Sequence, residues 1–165
     1  MFTIGILAIS DKGSRGERQD KSGEAIREML SGIDVRVTKY DIVPDEKNSI
    51  VDKLVNWADK DNLDVVVTTG GTGLTPRDVT PEATLAVVDR IVPGFAEAMR
   101  AESLKKTPHA MLSRAVVGTR GKCLIVNLPG SPKAVRKCLE VILPALPHAV
   151  QTLKDQAGEC GAAEG

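Results

Sequence analysis

Three short runs decide what this chain can fold into. Residues 2–9 read FTIGILAI, 64–69 read DVVVTT and 122–128 read KCLIVNL. Each is apolar almost without a break, whereas a strand with one wet face would alternate apolar and polar residues. Such runs belong inside a parallel sheet covered on both faces. A fourth run, VRVTKYDIV at 35–43, alternates more and is expected nearer an edge. Helical patterns separate the strands. SGEAIREML carries Ile26, Met29 and Leu30 on one face, and NSIVDKLVNWADK carries Ile50, Val51, Leu54 and Trp57 at helical spacing. TPEATLAVVDRI and PGFAEAMRAESLKK follow, and Pro144 and Pro147 are expected to break or kink the closing helical stretch. This alternation predicts an α/β fold: a three-layer sandwich with a mostly parallel central sheet and helices on both faces. There is no internal repeat and no interdomain linker. One domain over 1–154 is expected, with a frayed tail over 155–165, where the residues are small and polar.

Composition then removes several classes of function. The chain has 165 residues, enough for a full core, and 42% of them are hydrophobic. Its 22 basic and 22 acidic residues cancel, so no global field draws it to nucleic acid or to an anionic membrane. The aromatic residues are Phe2, Tyr40, Trp57 and Phe95, too few and too scattered for a base-stacking surface. Cys123, Cys138 and Cys160 form no C-x-x-C pair, which fits reduced thiols in a cytoplasmic protein. His109 and His148 lack ligand spacing, so no zinc site is expected. The apolar start lacks a basic n-region and reads as a first strand, not as a signal peptide or a membrane span.

In open α/β sheets, ligands sit beyond the carboxyl ends of the strands. The segments there are SDKGSRGERQDKSG, PDEKNS, GGTGLTPRDVTP and PGSPK. Gly70, Gly71 and Gly73 allow positive φ and leave room for a ligand, so their amides could cradle a phosphate. The plainer alternative is a tight strand-to-helix turn. The loop is neither G-x-x-x-x-G-K-[ST] nor G-x-G-x-x-G, because Pro76 stands at the last glycine position. Thr80–Pro81 and Ser131–Pro132 each read as an N-cap followed by a first helical residue. Capping alone explains both pairs, yet LPGSPK also sets a glycine, a helix start and Lys133 together as an anion site. Asp78 has no evident structural task, and Asp45 is either an N-cap or a site residue. If both acids face phosphates they repel each other and the ligand, a conflict that magnesium removes by binding carboxylate and phosphate oxygens together. Asp11 and Lys21 lie in the loop after the first strand, and Lys21 is either a phosphate partner or an exposed charge.

TTGGTGLTPRDVTPEAT resembles the signature of the MogA/MoaB family, which acts in molybdenum cofactor biosynthesis. The blocks ISD, QDKSG, PDE, PGFAEAMR, LSRAVVGTRG and LIVNLPGSP, in this order and spacing, extend the similarity over most of the chain. The resemblance implies a single MogA/MoaB-like α/β domain, a homotrimer, and hand-over of product to a molybdenum-inserting partner protein. The MogA branch and the similar G domains of fusion proteins such as gephyrin are molybdopterin adenylyltransferases. They join AMP from ATP to molybdopterin with Mg2+ and release pyrophosphate. Carried over by position, Gly70, Gly71, Thr72 and Gly73 would hold pterin or nucleotide phosphate. Asp45 and Asp78 match the essential acids and would hold the metal, and Pro129, Gly130 and Ser131 match a second ligand loop.

On this resemblance the molybdopterin phosphate is itself the nucleophile and needs only alignment and charge relief, with no general base. Two alternatives to the enzyme remain at this stage. One is a non-catalytic molybdopterin carrier or scaffold of the MoaB type, and the other is an unrelated nucleotide-sensing module. Retention of both Asp45 and Asp78 favours the enzyme.

Overall fold

In the computed structural model, whose described residues are 1–155, the apolar runs become β1 (Phe2–Ile9), β3 (Val65–Thr69) and β6 (Cys123–Leu128). The alternating run is β2 (Val35–Val43). With β4 (Arg90–Ile91) and β5 (Val117–Arg120) they form a six-stranded sheet in the order β2-β1-β3-β6-β5-β4. The first four strands are parallel, and β5 and β4 close the far edge antiparallel. β2 lies at the other edge, as its alternation predicts.

Each apolar run feeds two cores, because successive side chains point to opposite faces. On one face Ile4, Ile6, Val65, Val67, Leu124 and Val126 pack against α2 (Lys21–Leu30), α5 (Pro93–Leu104), α6 (Pro132–Ile142) and α7 (Leu146–Leu153). On the other, Leu7, Ile9, Val66 and Ile125 meet Ile50 and Leu54 of α3 (Lys47–Val55) and Ala83 and Val87 of α4 (Thr80–Val87). Trp57, on the π-helical turn Asn56–Lys60 that continues α3, fills the same second core. Burying each such Val, Leu or Ile contributes about 1.5–3 kcal/mol.

One polar residue interrupts β6. The side chain of Asn127 is fully buried and donates to the hydroxyls of Thr68 (3.1 Å) and Thr84 (2.9 Å). Its carbonyl accepts from the Val116 amide at 3.1 Å. Asn127 thereby ties β3, β6, α4 and the start of β5 across the sheet, directly beneath the loops at its carboxyl rim.

Two expectations are corrected. The helix read over TPEATLAVVDRI ends at Val87, because Val88 is extended and Asp89 N–H donates to Thr119 O at 2.7 Å. VGTR, for which the sequence pattern alone predicts no element, is the strand β5. β5 is recruited by β6 and the segment after α4 by β5, through pairing that local propensity does not contain. The prolines act as expected: a 3₁₀ turn at Leu143–Ala145 separates α6 from α7. Cys123 and Cys138 are buried free thiols, and burial pushes Cys123 up to about 12. Cys160 and the tail expected from 155 onward fall, beyond Asp155, outside the described residues. Among the described residues no helix is long and apolar enough to cross a membrane.

Candidate active site

The carboxyl ends of β1, β3 and β6 open into one cleft of about 540 Å³. Its lining includes Ser10, Lys21, Ser22, Asp45, Gly70, Gly71, Asp78 and Gly130. All four loops picked out in the sequence therefore meet at one rim. Two longer helices begin there, beside the four-residue α1 (Asp11–Ser14), whose N-cap Ser10 lines the cleft. The α2 start is capped by Asp20, whose carboxylate accepts from Gly23 N–H at 2.9 Å. The α6 start is capped by Ser131, whose hydroxyl accepts from Ala134 N–H at 3.2 Å. Helix starts favour anions. Lys21 is exposed on the first turn of α2, with no acidic partner among the described residues.

The glycine loop is shaped first by the protein itself. Gly70 has φ +96° and Gly71 φ +68°. A Cβ on Gly70 would stand 2.4 Å from the Ile9 carbonyl oxygen. One on Gly71 would stand 2.3 Å from Thr80 Oγ1 and 3.3 Å from Asp45 Oδ1. Both glycines are thus demanded by local packing as well as by any ligand, which joins the two alternatives that the sequence left open. Gly73 lacks positive φ, and a Cβ there would lie 2.8 Å from Asp78 Oδ2. Among the described residues, the amides of Gly71, Thr72 and Gly73 donate to no protein acceptor. Of the three, Gly71 lines the cleft, where its amide is left available to a ligand oxygen.

The acids form a linked set. Asp45 Oδ2 accepts from Asp11 N–H at 2.8 Å, and Asp11 Oδ1 accepts from Asp45 N–H at 2.9 Å. Arg77 grips the Asp11 carboxylate with two nitrogens, at 3.0 and 2.8 Å. That grip holds Asp11 below its ordinary range. Asp45 is pushed up, chiefly by burial, with the charges of Asp11 and Asp78 adding to it and the Asp11 amide and Arg77 opposing it. Asp78 Oδ2 accepts from Thr75 N–H (2.9 Å) and Thr75 Oγ1 (2.8 Å). Asp45 and Asp78 each keep one oxygen, Oδ1, without a hydrogen bond among the described residues. No cluster of three or more metal-ligating side chains occurs among the described residues.

Three local expectations change. Asp78 does have a structural task, closing the 75–78 turn. Asp45 is not an N-cap: the cap position of α3 is Glu46, which makes no side-chain capping bond. Thr80 is not a cap either. It is the first residue of α4, and its hydroxyl donates to Gly70 O at 2.9 Å, bracing the glycine loop. Of the predicted ligand residues, Asp11 faces Arg77 and Asp45, and Thr72 is buried. The carbonyls of Pro129 and Gly130 are taken by Thr69 Oγ1 and Ser22 Oγ, both at 2.7 Å. Ser22, Thr69 and Thr80 were missed as site residues. Only the short block QDKSG pointed at Ser22, while the threonines look like ordinary strand and cap residues in sequence.

Residues 5–148 match the family described as a probable molybdopterin binding domain. The chain belongs to that family. Among its relatives is the molybdopterin adenylyltransferase of Helicobacter pylori, 48% identical over 136 residues, which are 81% of this chain and 77% of that protein. The molybdopterin adenylyltransferase of Escherichia coli is 45% identical over 138 residues, 81% of this chain and 70% of that protein. Among solved structures, the molybdopterin biosynthesis enzyme MoaB from Thermus thermophilus superimposes with a TM-score of 0.90 at 56% identity, covering 94% of this chain and 98% of that one. The MogA/MoaB resemblance and the mostly parallel sheet with flanking helices are therefore borne out. The family match covers every loop at the cleft.

Proposed function

We propose that this chain is a molybdopterin adenylyltransferase of molybdenum cofactor biosynthesis, transferring AMP from ATP to the terminal phosphate of molybdopterin. One observation carries the proposal: a single cleft joins two carboxylates, each with a free oxygen, to unbonded glycine-loop amides and two helix starts. The relatives named above supply the substrate class. A molybdopterin phosphate oxygen attacks the α-phosphorus of ATP, the bond from that phosphorus to the bridging oxygen breaks, and pyrophosphate leaves. The glycine-loop amides, Lys21 and the helix starts hold and orient the phosphates. Ser22 and Thr69 keep the 129–131 loop against the cleft.

Two carboxylates with one free oxygen each fit Mg2+, which is bound through one or two carboxylates together with phosphates and water. Asp45 and Asp78 would hold it, and it would relieve charge repulsion among the phosphates. The family resemblance further supports action as a homotrimer in the cytoplasm, with hand-over to a molybdenum-inserting partner. Light scattering at micromolar concentration tests the trimer, and a monomer mass counts against it.

The alternative is a molybdopterin carrier without turnover. Pyrophosphate release measured with ATP alone, molybdopterin alone and both together separates the two. Release that needs both substrates supports the transferase. Tight pterin binding with no release supports the carrier.

A further inference from the structure

Asp78 sits at the end of an exposed loop, and its own turn accounts for only part of its placement. The other grip comes from Arg114, on the segment between the 3₁₀ turn Pro108–Leu112 and β5. Its backbone N–H donates to Thr72 O at 2.9 Å. Its guanidinium donates from Nε to Gly73 O and from Nη2 to Asp78 O, both at 2.7 Å. Nη1 pairs with Glu82 Oε1 on the first turn of α4. One half-buried side chain therefore grips both ends of the 73–78 loop and fixes them to a helix. A planar guanidinium serves three divergent acceptors at once, which a lysine ammonium on a flexible stem does not.

We infer that Arg114 is a positioning residue, which holds Asp78 Oδ1 in register so that metal-bound triphosphate is received at the cleft. The inference rests on the transferase proposed above. Arg114 stands behind the loop and is not among the residues that line the cleft. It acts by satisfying two loop carbonyls whose donors would otherwise be water, and so removes freedom from the chain between them. Arg77 has a different task, because its guanidinium is spent on Asp11.

The test is Arg114→Lys, with Glu82→Gln beside it. Mn2+ affinity in the presence of ATP is read by electron paramagnetic resonance, alongside kcat, KM for molybdopterin, and melting temperature. In Arg114→Lys, Mn2+ affinity and kcat should each fall about tenfold or more, the scale of a small misplacement at a reacting centre. KM for molybdopterin should stay within about twofold, as uniform binding is retained. Glu82→Gln keeps both carbonyl contacts and should bind Mn2+ nearly as the parent does. Unchanged Mn2+ affinity in folded Arg114→Lys overturns the inference, as does an equal loss in Glu82→Gln. If Arg114→Lys does not fold, Arg114→Gln, which keeps a donor for one carbonyl, is measured with the same expectations. Failure of both to fold makes Arg114 a fold residue and also overturns the inference. A parent protein without turnover whose Mn2+ affinity still follows the Arg114 series would refute the transferase and leave the positioning role standing.

Discussion

Asp78→Asn separates the two tasks that the Asp78 carboxylate combines. Oδ2 holds Thr75 through the backbone amide at 2.9 Å and the hydroxyl at 2.8 Å. The asparagine carbonyl takes over both bonds, so the turn survives with neutral acceptance in place of charged. That exchange costs about 1 kcal/mol at most, because the pair is exposed and screened. The other oxygen becomes an amide NH2, which cannot bind a cation. Losing one preorganised electrostatic contact should cost about 3 kcal/mol of transition-state stabilisation, roughly a hundredfold in turnover. Pterin binding should persist, since the glycine amides are untouched. The assay is magnesium-dependent pyrophosphate release, run beside pterin affinity and thermal melting, with Asp78→Ala for comparison. Asp78→Ala loses the turn as well and should melt lower than Asp78→Asn. Turnover of folded Asp78→Asn within about fivefold of the parent would refute the role assigned to the charge.

Asp45 leads to a pH signature. Its carboxyl is raised above 3.8, chiefly by burial, so it contributes stability below that value and loses it as pH rises through the raised folded value. Charged Asp45 thus costs stability near neutrality, and Asp45→Asn should raise Tm near pH 7 but not near pH 3, while turnover falls; an equal gain at both pH values would sink this account. Gly70→Ala should destabilise by about 2 kcal/mol or more, given its positive φ and the Ile9 carbonyl in the way, as read by chemical denaturation. Gly73→Ala should spare stability and instead displace the Asp78 carboxylate, lowering turnover; equal stability losses in the two variants would refute the distinction. Asn127→Leu strips the Val116 amide, Thr68 and Thr84 of a shared partner and should cost about 2–4 kcal/mol, and a loss under about 1 kcal/mol would show that the network contributes little.

The strands β1, β3 and β6, their burial on both faces and the gathering of loops at one rim follow from the sequence. Continuous apolar runs of strand length have few ways to escape water, and the loops after them must then share an edge. The family is legible for a different reason: its blocks carry residue identities at fixed spacing, from QDKSG to LPGSP. β4 and β5 were not legible, because a short segment such as Arg90–Ile91 is a strand only through a neighbour distant in sequence. The bonds of Asp45 and Thr80 were not legible for the same reason, whereas Asp78 bonds Thr75 only three positions away. Cap statistics concern the next few residues, whereas Asp45 bonds Asp11, 34 positions away, and Thr80 bonds Gly70, 10 positions away. Arg114 is the clearest case. In sequence it is one of 22 basic residues, and its three acceptors lie 32 to 41 positions away, brought to it only when β5 pairs with β6. Hydrophobic pattern sets where the chain must bury itself, but which polar atoms then meet depends on closure of the whole fold.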